Sequence, residues 1–331
     1  MKVVPLVGQA ARKLLRLPRG VPGYCKAARR VYSRSVAIVM YHSVTRDPLP
    51  VPYWCQLRAE LFEEQVRFLA EQYRVLPLAE VVTRLACGLA LPECTAVITF
   101  DDGYRDFRTT AYPILRKYQV PAVVFVVTGL CETGLPPWNG RLLHALAYTF
   151  RESLRFGDVA MPLKEADGRY AVYETIVDSL KALAPRQREQ QLADTIGALP
   201  LRGHPDESHS SLSTMRWEEI IEVGSDPLVS VGSHTHTHAP LASCSQDNQA
   251  EELRTSRNLL RERLGTCDLF CYPFGYPSDV TTHLVAEAGY SCGLDTAPGL
   301  NHPGADPYRL RRVGVGADTP IGEFELLMLG W

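Results

Sequence analysis

Two adjacent carboxylates, Asp101 and Asp102, stand directly after a strongly apolar run of the chain. Far downstream, a second apolar run ends in a turn that carries His234 and His238. One carboxylate and two imidazoles form a donor set that holds a divalent cation such as Zn²⁺ in an open site, where water completes the coordination. The cation lowers the pKa of that water to roughly 7, and the second carboxylate can accept the proton. The pattern therefore predicts a hydrolytic metal site.

Each half of this pattern also has an ordinary structural interpretation. An Asp-Asp-Gly sequence is typical of turns and helix N-caps, and the spacing of His234 and His238 is by itself a weak signal for metal. Pro240 and the Gly-Ser lead-in favour a loop or a single turn here. His236, between the pair, is expected to face solvent or a hydrogen-bonding partner. Adjacent residues at a strand end point in different directions, so we expect one acid to bind the cation and the other to face the substrate.

The elements around these residues predict an α/β protein. Apolar runs without alternation are interleaved with amphipathic helices, a pattern typical of a parallel sheet covered on both faces. The predicted strands are 36–41, 96–100, 122–127, 228–231, 269–272, 291–295 and 312–315. The predicted helices between them are 61–73, 78–85, a segment from 106 to 118, 248–264 and 280–288. Gly265 and Gly289 close the last two helices.

Residues 138–215 interrupt this alternation. They contain helical patterns over 141–150, 172–184 and 187–196, joined by polar connections. We interpret them as a helical insertion in a strand-to-helix loop, which on a barrel lies near the active face and can cover it. A chain of 331 residues suits an α/β barrel with such an insertion. The predicted organisation is a basic segment, 1–35, followed by a barrel, 36–331, that residues 138–215 interrupt.

Composition and charge exclude several classes of protein. The apolar and charged fractions, 46% and 22%, are those of a soluble globular protein. A net charge of -2 gives no polycation signature for nucleic acid. No apolar stretch reaches the ~18–20 residues that a membrane-spanning helix needs. The 9 cysteines are odd in number and include no C-x-x-C pair. Reduced thiols in a cytosolic protein are therefore favoured over a zinc–thiolate cluster.

The segment 1–35 is rich in Lys and Arg and contains no Asp or Glu. Arg12, Lys13 and Arg16 interrupt any apolar core of the length that a secretory signal requires. A solvated basic segment and an interfacial helix attracted to anionic lipid both fit this pattern. We therefore expect a cytoplasmic protein, with peripheral contact to an anionic membrane through residues 1–35 as the open alternative.

Three motifs occur in an order that resembles one known family. They are residues 99–104 (Thr-Phe-Asp-Asp-Gly-Tyr), 233–238 (Ser-His-Thr-His-Thr-His) and 270–275 (Phe-Cys-Tyr-Pro-Phe-Gly). The chain resembles the polysaccharide deacetylases of carbohydrate esterase family 4, over most of 36–137 and 216–316. The combination is specific, although no single motif would suffice. The resemblance implies a distorted (β/α) barrel with fewer than the usual eight units, about seven strands here.

The resemblance also implies a role for each motif residue. Asp101 matches the catalytic base, and Asp102, His234 and His238 match the metal ligands. Zn²⁺ is the expected ion, and Co²⁺ or Ni²⁺ would suit the same nitrogen and oxygen donors. Phe274 matches an aromatic residue whose backbone N–H helps to hold the tetrahedral oxyanion. Only the amide matters in that role, so Phe in place of the commoner Tyr is harmless.

The chain departs from the family at the position of Cys271. Many members carry there an Arg that orients the catalytic Asp, and a cysteine cannot do this. Arg311 and Arg312, near a late predicted strand, are the two possible replacements. We expect Arg312 to orient the catalytic carboxylate.

A second departure concerns the general acid. Many members end with a Leu-rich strand and a His that acts as the acid, and none is visible after His302. The run 40–44, which contains His42, resembles that element moved to the front, as in the circularly permuted branch that acts on exported poly-N-acetylglucosamine. His42 thus becomes the predicted acid, with Asp295 as the side chain that would orient it. By position alone, His42 is more typical of a core or rim histidine.

The site chemistry and the resemblance together predict hydrolysis of an N-acetyl group on an aminosugar, in a glycan or a glycan precursor, with acetate as one product. The expected partner is an N-acetylated carbohydrate.

A same-fold amidohydrolase acting on a small N-acyl or cyclic amide substrate would carry identical motifs. A pocket closed by 138–215 would favour that small substrate, and an open groove a polymer. A non-catalytic glycan-binding protein is the alternative of another class, and it would be supported by loss of a ligand or of the base, all of which are present.

Overall fold

The computed structural model describes residues 35–201 and 211–330. Apart from Ser35, the predicted basic segment 1–35 lies outside the described residues, so its expected membrane contact stays a prediction. Within the two described ranges, no helix combines the length and the apolar character that a bilayer crossing requires.

Twelve strands and ten helices form the described chain. The strands are β1 (Val36–Tyr41), β2 (Ser43–Thr45), β3 (Gln56–Arg58), β4 (Arg74–Val75), β5 (Thr95–Phe100), β6 (Ala122–Val126), β7 (Ser153–Phe156), β8 (Val159–Pro162), β9 (Val229–Ser233), β10 (Leu269–Cys271), β11 (Cys292–Pro298) and β12 (Leu310–Gly314). The helices are α1 (Ala59–Gln72), α2 (Leu78–Ala86), α3 (Tyr112–Tyr118), α4 (Trp138–Tyr148), α5 (Ala166–Lys181), α6 (Pro185–Gly197), α7 (Trp217–Gly224), α8 (Gln246–Leu264), α9 (Asp279–Glu287) and α10 (Ile321–Leu327).

A closed parallel barrel is the centre of the fold. Strands β1, β5, β6, β9, β10, β11 and β12 follow one another around it in chain order. Strand β1 closes the ring, because it pairs in parallel with β5 on one side and with β12 on the other. Short β4 extends the sheet beside β5. The predicted distorted (β/α) barrel with seven strands is therefore confirmed. In such a barrel every strand delivers its C-terminal residue to the same face, where active sites form.

The apolar strands were predicted correctly to within three residues at each end, but several short elements were not predicted. The pair β2–β3, the edge strand β4 and the helices α7 and α10 are too short for a clear periodic signal. The antiparallel hairpin β7–β8 lies inside 138–215, where only helices were expected. Strand β8 of this hairpin is short, and its Val159 is exposed. The hairpin therefore lacks the long buried apolar run by which the barrel strands were predicted.

Strand alternation sorts side chains between the barrel interior and the helix layer. In β5, Ile98 and Phe100 pack in the apolar cluster that contains the helices. Val97 instead joins Phe125 of β6 in a second cluster, whose members come from strands all around the barrel, as inward-pointing residues do. Successive residues of a strand face opposite sides. Asp101, which directly follows β5, is four residues after Val97, so its side chain faces the barrel interior as well.

The segment predicted as an insertion, 138–215, lies between β6 and α7. Its helices α4, α5 and α6 and the hairpin β7–β8 bury a cluster of their own, distinct from the two barrel clusters. That cluster also includes Tyr53 and Tyr104, and Phe274 packs against it. Since Tyr104 follows β5 and Phe274 follows β10, the segment packs on loops at the carboxyl ends of the strands. Residues 202–210 of the segment lie outside the described part of the chain.

A buried carboxyl joins β2 to the helical segment after β5. Ser43 Oγ donates a hydrogen bond to Asp106 Oδ2. Burial raises the pKa of Asp106 to about 7, and the hydrogen bonds from Ser43 and from backbone N–H groups act in the opposite direction. Because this pKa is higher in the folded protein than in the unfolded chain, the group favours folding most at low pH. As the pH rises and the carboxyl ionises, the buried charge lowers the free energy of unfolding.

We expect Gly232→Ala to lower the free energy of unfolding by about 1–3 kcal/mol, because it overpacks the barrel. A Cβ on Gly232 of β9 would lie 2.5 Å from ring carbons of Phe125 and 3.0 Å from Leu269 O. Gly197→Ala is the matched control, since nothing lies within 4 Å of its Cβ. Urea denaturation of both variants measures the effect, and equal stabilities would contradict the packing described for β9.

We expect Asp106→Asn to stabilise the protein increasingly between about pH 4 and about pH 7 relative to wild type, and then by a constant amount. The stabilisation should reach up to about 4 kcal/mol, since one pKa unit corresponds to about 1.4 kcal/mol. The measurement is urea denaturation across this pH range. Asp158→Asn, in the exposed turn between β7 and β8, serves as control. Parallel pH profiles for wild type and Asp106→Asn would show that Asp106 titrates normally.

Candidate active site

The two predicted metal-binding histidines lie on a loop that follows β9. Thr235 and His238 have positive φ angles, 65° and 57°, which are uncommon for residues other than glycine and turn the loop sharply. His234 Nε2 lies 3.4 Å and His238 Nε2 lies 3.1 Å from Asp102 Oδ1. All three residues are 2–3% exposed. The structure therefore brings together Asp102, His234 and His238 as the sequence predicted.

The donor set fits a divalent cation. Ligand atoms of Asp102, His234 and His238 all lie within 4.8 Å of one another. His234 Nδ1 lies 2.8 Å from the carbonyl oxygen of Cys271 and must carry the proton, because a carbonyl can only accept. Its other ring nitrogen, Nε2, faces Asp102 and is the atom available to a cation, and an Nδ1–H bonded to a carbonyl oxygen is the arrangement that supports metal ligation by histidine.

Asp101 is held by Arg312 in a bidentate ion pair. Arg312 Nη1 lies 2.7 Å from Asp101 Oδ1, and Nη2 lies 2.8 Å from Oδ2. Arg312 is fully buried, and its Nε also donates to the carbonyl oxygen of Asp295 at 2.7 Å. A planar fork of this kind fixes the carboxylate in one orientation. Arg312 therefore occupies the position expected for the replacement of the motif arginine.

Strand periodicity explains why Arg312, and not Arg311, reaches Asp101. In β12, Leu310 belongs to the barrel-interior cluster, and Arg312 two residues later faces the same way. Arg311 faces outward and is exposed. Cys271, which stands where many family members carry the arginine, lies with Sγ 3.5 Å from Asp101 Oδ1. Its small side chain leaves the space that the Arg312 guanidinium fills.

A second group of possible ligand atoms is formed by Asp101, His234 and Cys271. Both oxygens of Asp101 already accept hydrogen bonds from Arg312. Burial raises the pKa of the Cys271 thiol, which disfavours the thiolate that binds metal. The Asp102 group is therefore the better cation site.

His42, the predicted general acid, lies beside Asp101, the predicted base. Its Nε2 is 3.8 Å from Asp101 Oδ2, and its side chain is 11% exposed. The proposed orientation of His42 by Asp295 is wrong, because His42 Nδ1 has no hydrogen-bond partner within the described residues. Asp295 Oδ1 instead accepts from the backbone N–H groups of Tyr276 and Thr296, at 2.6 and 2.7 Å.

Phe274 lies at the edge of the metal site, in the loop after β10. Its φ is +63°, and its ring centroid is 4.8 Å from that of His238. On the other side, Lys181 Nζ of α5 lies 4.5 Å from the centre of the Phe274 ring. The loop therefore links the metal site to the helices of 138–215. Whether the Phe274 N–H binds an oxyanion stays a prediction.

Charges within the site set its protonation states. Burial raises the pKa of Asp101, but the Arg312 charge and hydrogen bonds outweigh it, so the pKa lies below the usual range. Burial also raises the pKa of Asp102, and the two ligand histidines reverse the effect and hold it well below normal. Both acids are therefore carboxylates at neutral pH. Burial lowers the pKa of His42, against the pull of the two carboxylates.

The structure adds three residues that motif reasoning missed. Trp54, at a turn before β3, is 41% exposed, and its ring centroid is 5.0 Å from that of His42. Trp138 of α4 donates from Nε1 to the carbonyl oxygen of His238 at 3.0 Å. Glu252 of α8 accepts hydrogen bonds from the histidine loop. None has a local sequence signal, because each acts through a partner distant in the chain.

His236 behaves as predicted. His236 points away from the Asp102 group, and its Nδ1 lies 3.0 Å from Thr128 Oγ1 in a hydrogen bond. The thiols of Cys55, Cys87, Cys131, Cys244, Cys267, Cys271 and Cys292 are free. Cys25 lies outside the described ranges.

Comparison with known sequences identifies relatives. The family model "Polysaccharide deacetylase" matches residues 89–293. The putative polysaccharide deacetylase YxkH of Bacillus subtilis is 35% identical over 281 residues, which is 84% of this chain and 70% of the relative. The poly-beta-1,6-N-acetyl-D-glucosamine N-deacetylase of Escherichia coli is 35% identical over 86 residues, 26% of this chain. That match spans only 13% of the length of the E. coli protein.

Solved structures show the same fold. The Streptococcus pyogenes deacetylase PplD, in complex with acetate, superposes with a TM-score of 0.59 at 20% identity, covering 89% of this chain and 98% of PplD. IcaB from Ammonifex degensii gives a TM-score of 0.58 at 19% identity, covering 89% of this chain and 97% of IcaB. Motifs, fold and sequence relatives agree, and the chain belongs to the polysaccharide deacetylase family.

Proposed function

We propose that the protein is a metal-dependent hydrolase that removes N-acetyl groups from an aminosugar in a glycan or a glycan precursor. One observation carries the proposal, namely the convergence of Asp102, His234 and His238 beside the Arg312-held Asp101 at one end of the barrel. The family and the E. coli relative, which is named for poly-beta-1,6-N-acetyl-D-glucosamine, support the substrate class. The acetate complex of PplD is consistent with release of that product.

The cation would be held by Asp102, His234 and His238. When bound, it would supply Lewis acidity toward the acetyl carbonyl and toward water. Zn²⁺ is the proposed ion, and Co²⁺ or Ni²⁺ would suit the same donors.

Asp101 and His42 divide the proton transfers. Asp101 is ionised at neutral pH and held rigidly by Arg312, so it can act as the general base that takes a proton from the attacking water. His42 Nε2 lies 3.8 Å from Asp101 Oδ2, and His42 is the group proposed to protonate the departing amine. The backbone N–H of Phe274 would stabilise the oxygen that becomes negative during attack.

An exposed aromatic side chain favours a sugar substrate. Trp54 stands next to His42 at the mouth of the site, with nearly half of its surface open to solvent. Its turn is held by hydrogen bonds from Gln56 N to Tyr53 O and from Ser43 N to Cys55 O, each 3.1 Å. An indole fixed in this way offers a flat apolar face against which a sugar ring can pack while its hydroxyl groups stay hydrated.

A second candidate is a hydrolase for a small or chain-terminal N-acyl substrate. The burial of Asp101, Asp102, His234 and His238, at 2–3% exposure, favours it. Trp138 and Lys181 of the insertion contact the same loops as these residues. Rates on N-acetylglucosamine and on its oligomers separate the candidates, since a closed site would prefer the monomer and a groove the oligomer.

We expect the wild-type protein to release acetate from N-acetylglucosamine oligomers and to stop when a chelator removes the metal. Asp101→Asn should lower kcat by roughly 10²–10⁴-fold, because it removes the base. Bound zinc, measured by elemental analysis, should be retained, because the ligands are intact. Asp158→Asn, on the exposed hairpin, should behave as wild type. Full activity of Asp101→Asn, or activity that survives the chelator, would refute the proposed mechanism.

We expect Trp54→Ala to raise KM for N-acetylglucosamine oligomers by about tenfold, which corresponds to ~1.4 kcal/mol of lost packing. Hydrolysis of p-nitrophenyl acetate, which has no sugar to pack on the indole, should change little. Trp54→Phe should recover most of the affinity, since it restores an aromatic face. The kinetics of both substrates test this, and an unchanged KM for the oligomer would exclude Trp54 from the sugar site.

A further inference from the structure

The loop between the two histidine ligands is conformationally unusual. Three residues separate His234 from His238, and Thr235 and His238 both adopt positive φ. A β-branched residue in the left-handed region is a strained conformation that persists only when its surroundings enforce it. The loop therefore needs contacts from outside itself to keep both imidazoles directed at Asp102.

A single carboxylate on α8 provides three of these contacts. Glu252 Oε2 accepts from the backbone N–H groups of His236 and Thr237, each at 2.8 Å. Glu252 Oε1 accepts from Thr237 Oγ1 at 2.6 Å. Two adjacent N–H groups that converge on one carboxylate oxygen determine the direction of that peptide segment. Charge-assisted hydrogen bonds of this kind are shorter and stronger than neutral ones.

Contacts from the turn that follows β6 hold the opposite side of the same loop. The N–H of Gly129 donates to the carbonyl oxygen of His236 at 2.8 Å, and the N–H of Thr128 donates to that of Thr235 at 3.2 Å. These two bonds satisfy carbonyl oxygens of the loop, whereas the bonds to Glu252 satisfy N–H groups of the loop. The loop is thus fixed between the end of β6 and the side of α8.

We propose that Glu252 is a positioning residue for the metal site, which it preorganises by holding the peptide segment between the two histidine ligands. The proposal rests on the cation site of the proposed function. Glu252 itself does not touch the ligand atoms, so its effect passes through the backbone of His236 and Thr237. Groups that orient metal ligands in this way typically contribute 10–100-fold to metal affinity.

The substitutions Glu252→Ala and Glu252→Gln separate positioning from charge. Glutamine keeps one acceptor oxygen for the two N–H groups, and its amide can donate to Thr237 Oγ1, so the geometry survives without the charge. Alanine removes all three bonds. Glu251→Ala is the matched control on the same helix, because Glu251 is exposed and bonds only to its helix neighbours Arg254 and Thr255 among the described contacts.

The experiment measures zinc affinity of the purified full chain by competition with a chromophoric chelator, together with the thermal unfolding midpoint of each apo protein. We expect Glu252→Ala to lose about 10–100-fold in affinity. Glu252→Gln should stay within about threefold of wild type, and Glu251→Ala should be unchanged. Should Glu252→Ala fail to fold, Thr237→Val, which removes the Oγ1 donor alone, is expected to weaken zinc binding about threefold to tenfold.

Each alternative result has a distinct meaning. If wild-type protein binds no zinc, the metal site of the proposed function is wrong, and the positioning role falls with it. If wild type binds zinc and Glu252→Ala, or Thr237→Val in its place, binds equally well, the metal site stands and the positioning role is overturned. Equal losses for Glu252→Ala and Glu252→Gln would also overturn it, since the charge and not the geometry would then matter.

Discussion

The buried ion pair between Asp101 and Arg312 is the interaction on which the site depends. Burial costs a carboxylate and a guanidinium several kcal/mol each of hydration free energy. Only an ion pair of good geometry with further hydrogen bonds compensates for this cost. Here both Nη atoms bond to Asp101, and Nε bonds to the carbonyl oxygen of Asp295. Removal of either partner would leave an unpaired buried charge. The pair therefore fixes the orientation of Asp101 and links β12 to the end of β5.

Barrel closure makes this pairing possible between residues that are far apart in the chain. Strand β1 pairs with β5 on one side and with β12 on the other. It therefore lies between the strand that Asp101 follows and the strand that contains Arg312. His42 follows β1 directly and thereby comes to lie beside Asp101. Parallel strands in one barrel end at the same face, so Asp101, His42 and Arg312 meet without any long connecting loop.

Sequence reasoning succeeded where local patterns carry the information. The apolar strands predicted the barrel, and the two strand-end motifs predicted that Asp102, His234 and His238 lie together, because residue type and position relative to a strand are visible in the chain. It failed for Asp295, which was expected to orient His42 but accepts from the backbone N–H groups of Tyr276, in the loop after β10, and of its neighbour Thr296. Hydrogen bonds to backbone groups, such as those of Glu252 and Trp138, depend on three-dimensional proximity and leave no pattern in the sequence.

The positions of Cys271 and Arg312 show that an arginine on a different strand can orient Asp101. Both residues face the barrel interior near Asp101, one from β10 and one from β12. A guanidinium needs space for its planar group of N–H donors. If positions 271 and 312 both carried arginine, one carboxylate would have to neutralise two buried positive charges, and one charge would stay unpaired. A small thiol at 271 therefore fits an arginine at 312. The alternation of β12, with Leu310 inward, selects Arg312 over its exposed neighbour Arg311.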